Sequence, residues 1–117
     1  MPSHTNMAVI YKTNEYTPVF KFRSSPSMTT AVEAWTPTTS TRIVLTDFTV
    51  SSAAAGTVQI RFGNVGGAVI AEFVLAGSAT VGRAYETPVE SLVADRSIFA
   101  ESGMNGLVSI TLNGYED

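Results

Sequence analysis

Thr57–Gly63, TVQIRFG, is the stretch that decides the fold. Its apolar residues occupy every second position, and the polar residues between them would point the opposite way, as in a strand with one buried face. Leu107–Leu112, near the end of the chain, repeats this alternation. A shift of one residue would expose every apolar side chain, so the pattern fixes which face is buried. The residues predicted to point inward are Val58, Ile60, Phe62, Val108, Ile110 and Leu112.

The sequence on both sides of this stretch continues in short strand-like units. Arg42–Ser52 carries apolar residues on both faces in its first half, which indicates burial on both sides or a bulge near Asp47. The glycine-rich turn at residues 64–67 predicts a β-hairpin, and Pro88 is expected to close a strand. Met28–Thr36 fits either a short helix or a strand. The other strand candidates are Met7–Lys12, Thr17–Arg23, Ala68–Ala76, Gly82–Thr87 and Ser97–Glu101.

Some eight short strands at this spacing predict an all-β protein: a sandwich, jelly roll or barrel. Residues 1–41 hold four of the five prolines, and turn and breaker residues interrupt every strand there. We therefore predict one domain with an N-terminal arm and early strands over residues 1–41 and a β-sandwich core over 42–117. The alternative is that Thr17–Arg23 is an integral strand of the sandwich.

Aromatic residues concentrate in the predicted arm. Aromatic side chains bury a large area at little entropic cost and often anchor interfaces. The candidate interface residues are Tyr11, Tyr16, Phe20 and Trp35. Trp35 has two alternatives, which are packing in the core and stacking on a sugar ring.

Composition restricts the classes of function. The chain has 117 residues, of which 44% are apolar and 15% charged, which is typical of one folded domain. The net charge of −3 and the dispersed basic residues do not favour a nucleic-acid partner. No apolar run reaches the roughly 18 residues of a membrane helix, and no secretory leader is recognisable, so we expect synthesis in a cytoplasm. The chain has no cysteine, so it has no disulfide or thiolate site.

Residues capable of chemistry are few. His4, the one histidine, stands near the start of the sequence, where a metal site or a catalytic triad is hard to complete. The spacing of the carboxylates does not suggest a pair facing each other across a cleft. We therefore expect no enzyme, no cofactor and no metal. The carboxylates considered are Glu33, Asp47, Glu72, Glu86, Glu90 and Asp95.

A family resemblance extends over residues 42–116. The strand of Leu107–Leu112 followed by Asn-Gly-Tyr-Glu resembles the closing strand of small jelly-roll virion proteins of tailed bacteriophages, of the capsid-decoration or head-auxiliary type. Earlier elements follow in the same order, including Arg42–Ser52, the strand at Thr57–Gly63 and its glycine turn. Tyr115 is expected to pack at the domain edge, with Glu116 and Asp117 in water.

This resemblance implies a structural protein of the virion, made in the bacterial host. It implies a homotrimer that binds the major capsid protein on the outer capsid surface. The alternatives are a tail, baseplate or receptor-binding component, and a carbohydrate-binding β-sandwich module. Fold alone does not decide among them.

Overall fold

The computed structural model describes residues 9–11, 14–63, 67–103 and 105–117, with side chains from Tyr16 onward. All the regular structure in these residues is β-strand. In chain order the strands are β1 (Val9–Tyr11), β2 (Asn14–Tyr16), β3 (Val19–Ser25), β4 (Val32–Trp35), β5 (Ile43–Ser52), β6 (Gly56–Phe62), β7 (Ala68–Leu75), β8 (Ala79–Glu90), β9 (Ile98–Ser102) and β10 (Val108–Glu116).

Eight of these strands form two antiparallel four-stranded sheets. The first sheet has the order β3-β10-β5-β8 and the second has the order β4-β9-β6-β7. The pairing is nested, because β3 pairs with β10, β4 with β9, β5 with β8 and β6 with β7. A chain folded back on itself in this way and rolled into two sheets is a jelly roll, which confirms the predicted fold class.

The strand at the end of the sequence lies inside a sheet because of this nesting. β10 is paired with β3 on one side and with β5 on the other. The two decisive strands, β6 and β10, belong to different sheets, and both turn their apolar residues into the core between the sheets. The six residues predicted to point inward are all buried: Val58, Ile60, Phe62, Val108, Ile110 and Leu112.

β5 is buried on both faces in its first half. Ile43, Val44 and Leu45 have no exposed surface, and the pairing of β5 with β8 shifts between Leu45 and Asp47. The two alternatives from the sequence, double burial and a bulge near Asp47, therefore both occur. The shift accommodates extra residues of β8, and Pro88 lies within β8 instead of closing it. Pro88 falls between Ala84 and Val89, where β8 is out of register with β5, so its missing N–H breaks no ladder pair.

Residues before position 42 supply strands to both sheets. Of the two alternatives for Thr17–Arg23, the structure has the integral strand, since β3 pairs with β10 over seven residue pairs. The ambiguous Met28–Thr36 contains the strand β4, which pairs with β9. What lies outside the two sheets is the hairpin of β1 and β2, a separate two-stranded sheet that forms the N-terminal arm. The turn at residues 64–66 lies outside the described residues.

β10 does not end at Asn113-Gly114, contrary to the expectation from the sequence. It continues to Glu116, and its register with β5 shifts between Asn113 and Gly114. A β-carbon at Gly114 would lie 2.0 Å from the Val44 carbonyl oxygen, so the bulge needs glycine because the strands approach closely. No helix in the described residues is long and apolar enough to cross a membrane.

Candidate interaction surfaces

Residues at the end of the chain contact the N-terminal hairpin and the residue that precedes β5. The Tyr16 ring stacks on the Tyr115 ring, with centroids 4.4 Å apart and planes at 15°. The Tyr16 hydroxyl donates a hydrogen bond of 3.2 Å to Asp117 Oδ1. Asp117 and Arg42 exchange two backbone hydrogen bonds of 2.8 Å. Tyr16 therefore joins the N-terminal hairpin to the end of β10.

Glu116 makes a second set of contacts, to the connection between β4 and β5. Trp35 Nε1 donates to Glu116 Oε2 at 2.9 Å, and the Thr38 backbone N–H donates to Oε1 at 3.2 Å. Partial burial raises the pKa of Glu116. The hydrogen bonds from Trp35 and Thr38 and the charge of Lys21 outweigh this effect, so that the pKa lies below its ordinary range. The expectation that Glu116 lies free in water is wrong, because its carboxylate is held by two donors.

The candidate interface residues do not form one cluster. Trp35 is only 1% exposed and belongs to the core, so the core alternative holds and its ring offers nothing to a partner or a sugar. Tyr16 is engaged with Tyr115. Tyr11 lies in β1, but its side chain is outside the described part of the chain. Phe20 is 64% exposed and remains a candidate contact residue.

Phe20 has a partner on the same strand face. Phe22 is 59% exposed, and the two rings point away from the core at alternate positions of β3. We call Phe20 and Phe22 the aromatic ridge. In the sheet, Phe20 is opposite Asn113 on β10, and Asn113 Nδ2 donates to Asp47 Oδ1 at 2.7 Å. Asn113 therefore separates the ridge from a carboxylate on the same outer face of the first sheet.

An apolar cleft of about 290 Å³ opens at the opposite side of the molecule, and we call it the edge cleft. The segment Ser91–Val93, which follows β8, forms one wall. The Ser91 hydroxyl donates to the Val93 carbonyl at 2.8 Å and accepts from the Val93 N–H at 3.4 Å, and this turn leaves Leu92 86% exposed. The residues that line the cleft are Phe62, Ala68, Val69, Ile70, Val89, Glu90, Ser91, Leu92, Val93 and Arg96.

The outer face of the second sheet carries a polar network. Arg61 is almost fully buried there and forms a 2.7 Å ion pair with Glu101. Arg61 Nη1 also donates to Gln59 Oε1 at 2.6 Å, and Gln59 Nε2 donates to Glu72 Oε2 at 3.2 Å. Gln59, Glu72 and Glu101 border a shallow depression, which we call the polar depression. In the part of the chain that the structure describes, no group of three or more His, Cys, Asp or Glu side chains is placed to hold a metal ion.

Comparisons with known proteins do not identify a family for this chain. No protein-family model and no curated protein matches the chain. A pilus of Bacillus endospore appendages is similar at 11% identity and a TM-score of 0.46, over 84% of this chain and 86% of that chain. The virus-like particle of extra small virus from the prawn Macrobrachium rosenbergii is similar at 14% identity and a TM-score of 0.42, over 100% of this chain and 86% of that one.

A carbohydrate-binding module of Cellvibrio mixtus lichenase 5A, solved with cellotriose, is similar at 9% identity and a TM-score of 0.40, over 90% of this chain and 82% of that chain. These neighbours include viral capsid proteins, pili and carbohydrate-binding modules, but no family specific to bacteriophages. Identities and TM-scores this low give no basis for assigning the function of any of these proteins to this chain.

Sequence reasoning missed Phe22 and Leu92 as surface residues. Phe22 alternates with Lys21 and Arg23, which shows that Phe20 and Phe22 share a face but not that this face is the outer one. The apolar pair Leu92-Val93, between a strand candidate and Asp95, fits no strand pattern. Two apolar residues in a connection outside the strand pattern were the sign that this segment could form an apolar surface.

Proposed function

We propose that this chain is a non-enzymatic structural protein of a virus particle, a decoration protein that binds the outer capsid surface of a tailed bacteriophage as a homotrimer. The observation that carries the proposal is the pair of exposed apolar surfaces on opposite sides of the jelly roll, the aromatic ridge and the edge cleft. Contiguous exposed apolar surface on a folded domain is typical of contacts with other proteins.

A decoration protein needs contacts with its own copies and with the capsid protein. The two apolar surfaces can join copies to one another, and their small size suits a protein present in many copies. A protein that binds only the assembled shell lowers the free energy of that state by mass action. Linked copies bind together more tightly than one copy, so modest individual contacts are sufficient.

The test is reconstitution of particles. Particles that lack the protein are mixed with the purified wild-type chain, separated from unbound protein by sedimentation and imaged by electron microscopy. We expect regular density on the capsid surface and a higher temperature of capsid disruption. Protein that stays in the supernatant, or density confined to the tail, would contradict a capsid role. Density on the tail would favour the tail, baseplate or receptor-binding alternative.

A matched set of variants tests whether the two apolar surfaces are needed for capsid binding. Phe20→Thr/Phe22→Thr removes the ridge, Leu92→Ser alters the cleft, and Val74→Thr removes an apolar side chain that is 79% exposed on β7. All of these positions are exposed, so the variants should fold. Weaker capsid binding by a ridge or cleft variant, with normal binding by Val74→Thr, would support the proposal.

The polar depression favours carbohydrate binding as a second candidate function. The side chains of Gln59, Glu72 and Glu101 present both donors and acceptors, which is the chemistry that sugar hydroxyls require. A glycan array probed with the wild-type chain and with Gln59→Ala tests it. Binding to a defined glycan that is lost in Gln59→Ala would favour this function over capsid decoration.

A further inference from the structure

The aromatic ridge and the edge cleft lie at opposite edges of the sandwich. The ridge is on β3, at one edge of the sheet β3-β10-β5-β8. The cleft is bounded by β7 and by the end of β8, which are the edge strands on the other side of the two sheets. One feature projects from the surface and the other is concave. A projection and a cavity on opposite flanks of one molecule are what a head-to-tail contact between identical copies requires.

The chemistry of the edge cleft suits an aromatic ring. Its walls are mainly aliphatic, with Val69, Ile70, Val89 and Leu92 among them. A cavity of about 150 Å³ is enough to bind benzene, so the 290 Å³ cleft has room for one phenyl group. Arg96 is also in the lining, and a guanidinium over the face of an aromatic ring is attracted by the ring's quadrupole. A phenyl side chain therefore fits the cleft in size and in chemistry.

The chain itself supplies that side chain. Among the described residues, the exposed large aromatic side chains are Phe20 and Phe22. Charges near the two surfaces are also complementary. Asp47 shares the outer face of the first sheet with the ridge, with Asn113 between them, and Arg96 lines the cleft. A head-to-tail contact would bring this acid toward that base.

We propose that the aromatic ridge of one copy occupies the edge cleft of the next copy, so that three copies close into a ring. This inference rests on the homotrimer of the proposed function and names its interface. One phenyl ring enters the cleft and the other lies against Leu92. Because each copy uses its ridge toward one neighbour and its cleft toward the other, both surfaces are filled when the ring closes.

Cross-linking tests this contact directly, because the chain contains no cysteine of its own. Ser24→Cys places a thiol on β3 beside the ridge, and Ala68→Cys places one in the lining of the cleft, both at exposed positions. A short bismaleimide should join the two variants when they are mixed and should not join either variant to itself. Cross-linking of Ser24→Cys alone would show a symmetric contact through β3 and would overturn the proposal. Failure of the mixture to cross-link would overturn it as well.

The mass in solution gives an independent readout. Light scattering at micromolar concentration should give a trimer for the wild type and for Val74→Thr, and a monomer for Phe20→Thr/Phe22→Thr. A trimer that survives in the ridge variant, or a wild type that is monomeric, would overturn the ring contact. Capsid binding is measured separately. A ring that forms as described but does not bind particles refutes the decoration function and leaves this interface in place.

Discussion

Gly114→Ala adds a single methyl group and should nevertheless destabilise the fold strongly. Gly114 lies in the bulge of β10, opposite Leu45 of β5. A β-carbon built there would be 2.0 Å from the Val44 carbonyl oxygen, 3.0 Å from the Val44 carbonyl carbon and 3.2 Å from the Leu45 α-carbon. All three are backbone atoms of a strand inside the sheet. No side-chain rotation can relieve the overlap, so the two strands must separate.

The magnitude follows from the separation required. Moving the oxygen from 2.0 Å to an ordinary contact distance displaces the backbone by more than about 1 Å, which breaks hydrogen bonds on both sides of the bulge. Overpacking that side chains can absorb costs about 1–3 kcal/mol. We expect a loss of at least about 3 kcal/mol here, less the 0.4–1 kcal/mol or so that alanine gains by restricting the unfolded chain. At about 4 °C per kcal/mol, the melting temperature should fall by roughly 10 °C.

Gly103→Ala is the matched control. A β-carbon at Gly103 would meet no atom within 4 Å, and its backbone is not in the left-handed region. The same chemical change should therefore leave the stability unchanged or raise it slightly. Urea unfolding and calorimetry of both variants, at one protein concentration, measure the difference. If Gly114→Ala melts within about 2 °C of the wild type, or if both variants fall equally, the close approach at the bulge is wrong.

Three further predictions concern the core, the carboxylate of Glu116 and the arm. Phe62→Ala should lower the free energy of unfolding measured in urea by about 3–5 kcal/mol, because the side chain is buried between the sheets. An unchanged melting temperature would contradict the core assignment. The pKa of Glu116 is lowered in the folded chain. Its carboxylate therefore stabilises the fold at pH values above the ordinary glutamate pKa of about 4.3. This contribution disappears as the pH falls through the lowered pKa. The stability difference between the wild type and Glu116→Gln should thus be present at neutral pH and close in acid, and a difference independent of pH would refute it. Deletion of residues 1–12 should leave the melting temperature nearly unchanged and weaken particle binding, and binding as tight as that of the full chain would mean that the arm takes no part.

The strands that the sequence predicts best are those with one buried face. Period-two alternation is unambiguous in β6 and β10, because each strand meets the core with one side. Asn113-Gly114 misled the prediction, since the same dipeptide that ends strands in turns also permits a bulge in which another backbone comes close. Local sequence cannot distinguish these cases, because the deciding neighbour, Val44, is far away along the chain.

The surfaces were harder to predict than the core for a related reason. Alternation places Phe20 and Phe22 on one face of β3, but only the pairing with β10 decides which face is outside. Trp35 shows the converse. The prolines and aromatic residues near it in the sequence suggested an interface. In the structure, a hydrogen bond to Glu116, 81 residues later, holds the ring in the core. Long-range partners of this kind follow from the nested topology and not from local propensity.

That topology also explains why side chains, and not strand edges, are available for association. Of the four edge strands, β3 carries Lys21 and Arg23, and charged residues on an edge discourage pairing with another strand. β8 departs from regular register opposite Thr46 and contains Pro88, which lacks an N–H. β4 is four residues long with an irregular register, and β7 has a register shift opposite Ile60 and Arg61. Edges of this kind resist indefinite sheet extension, so the contacts proposed between copies must use side-chain surfaces such as the aromatic ridge and the edge cleft.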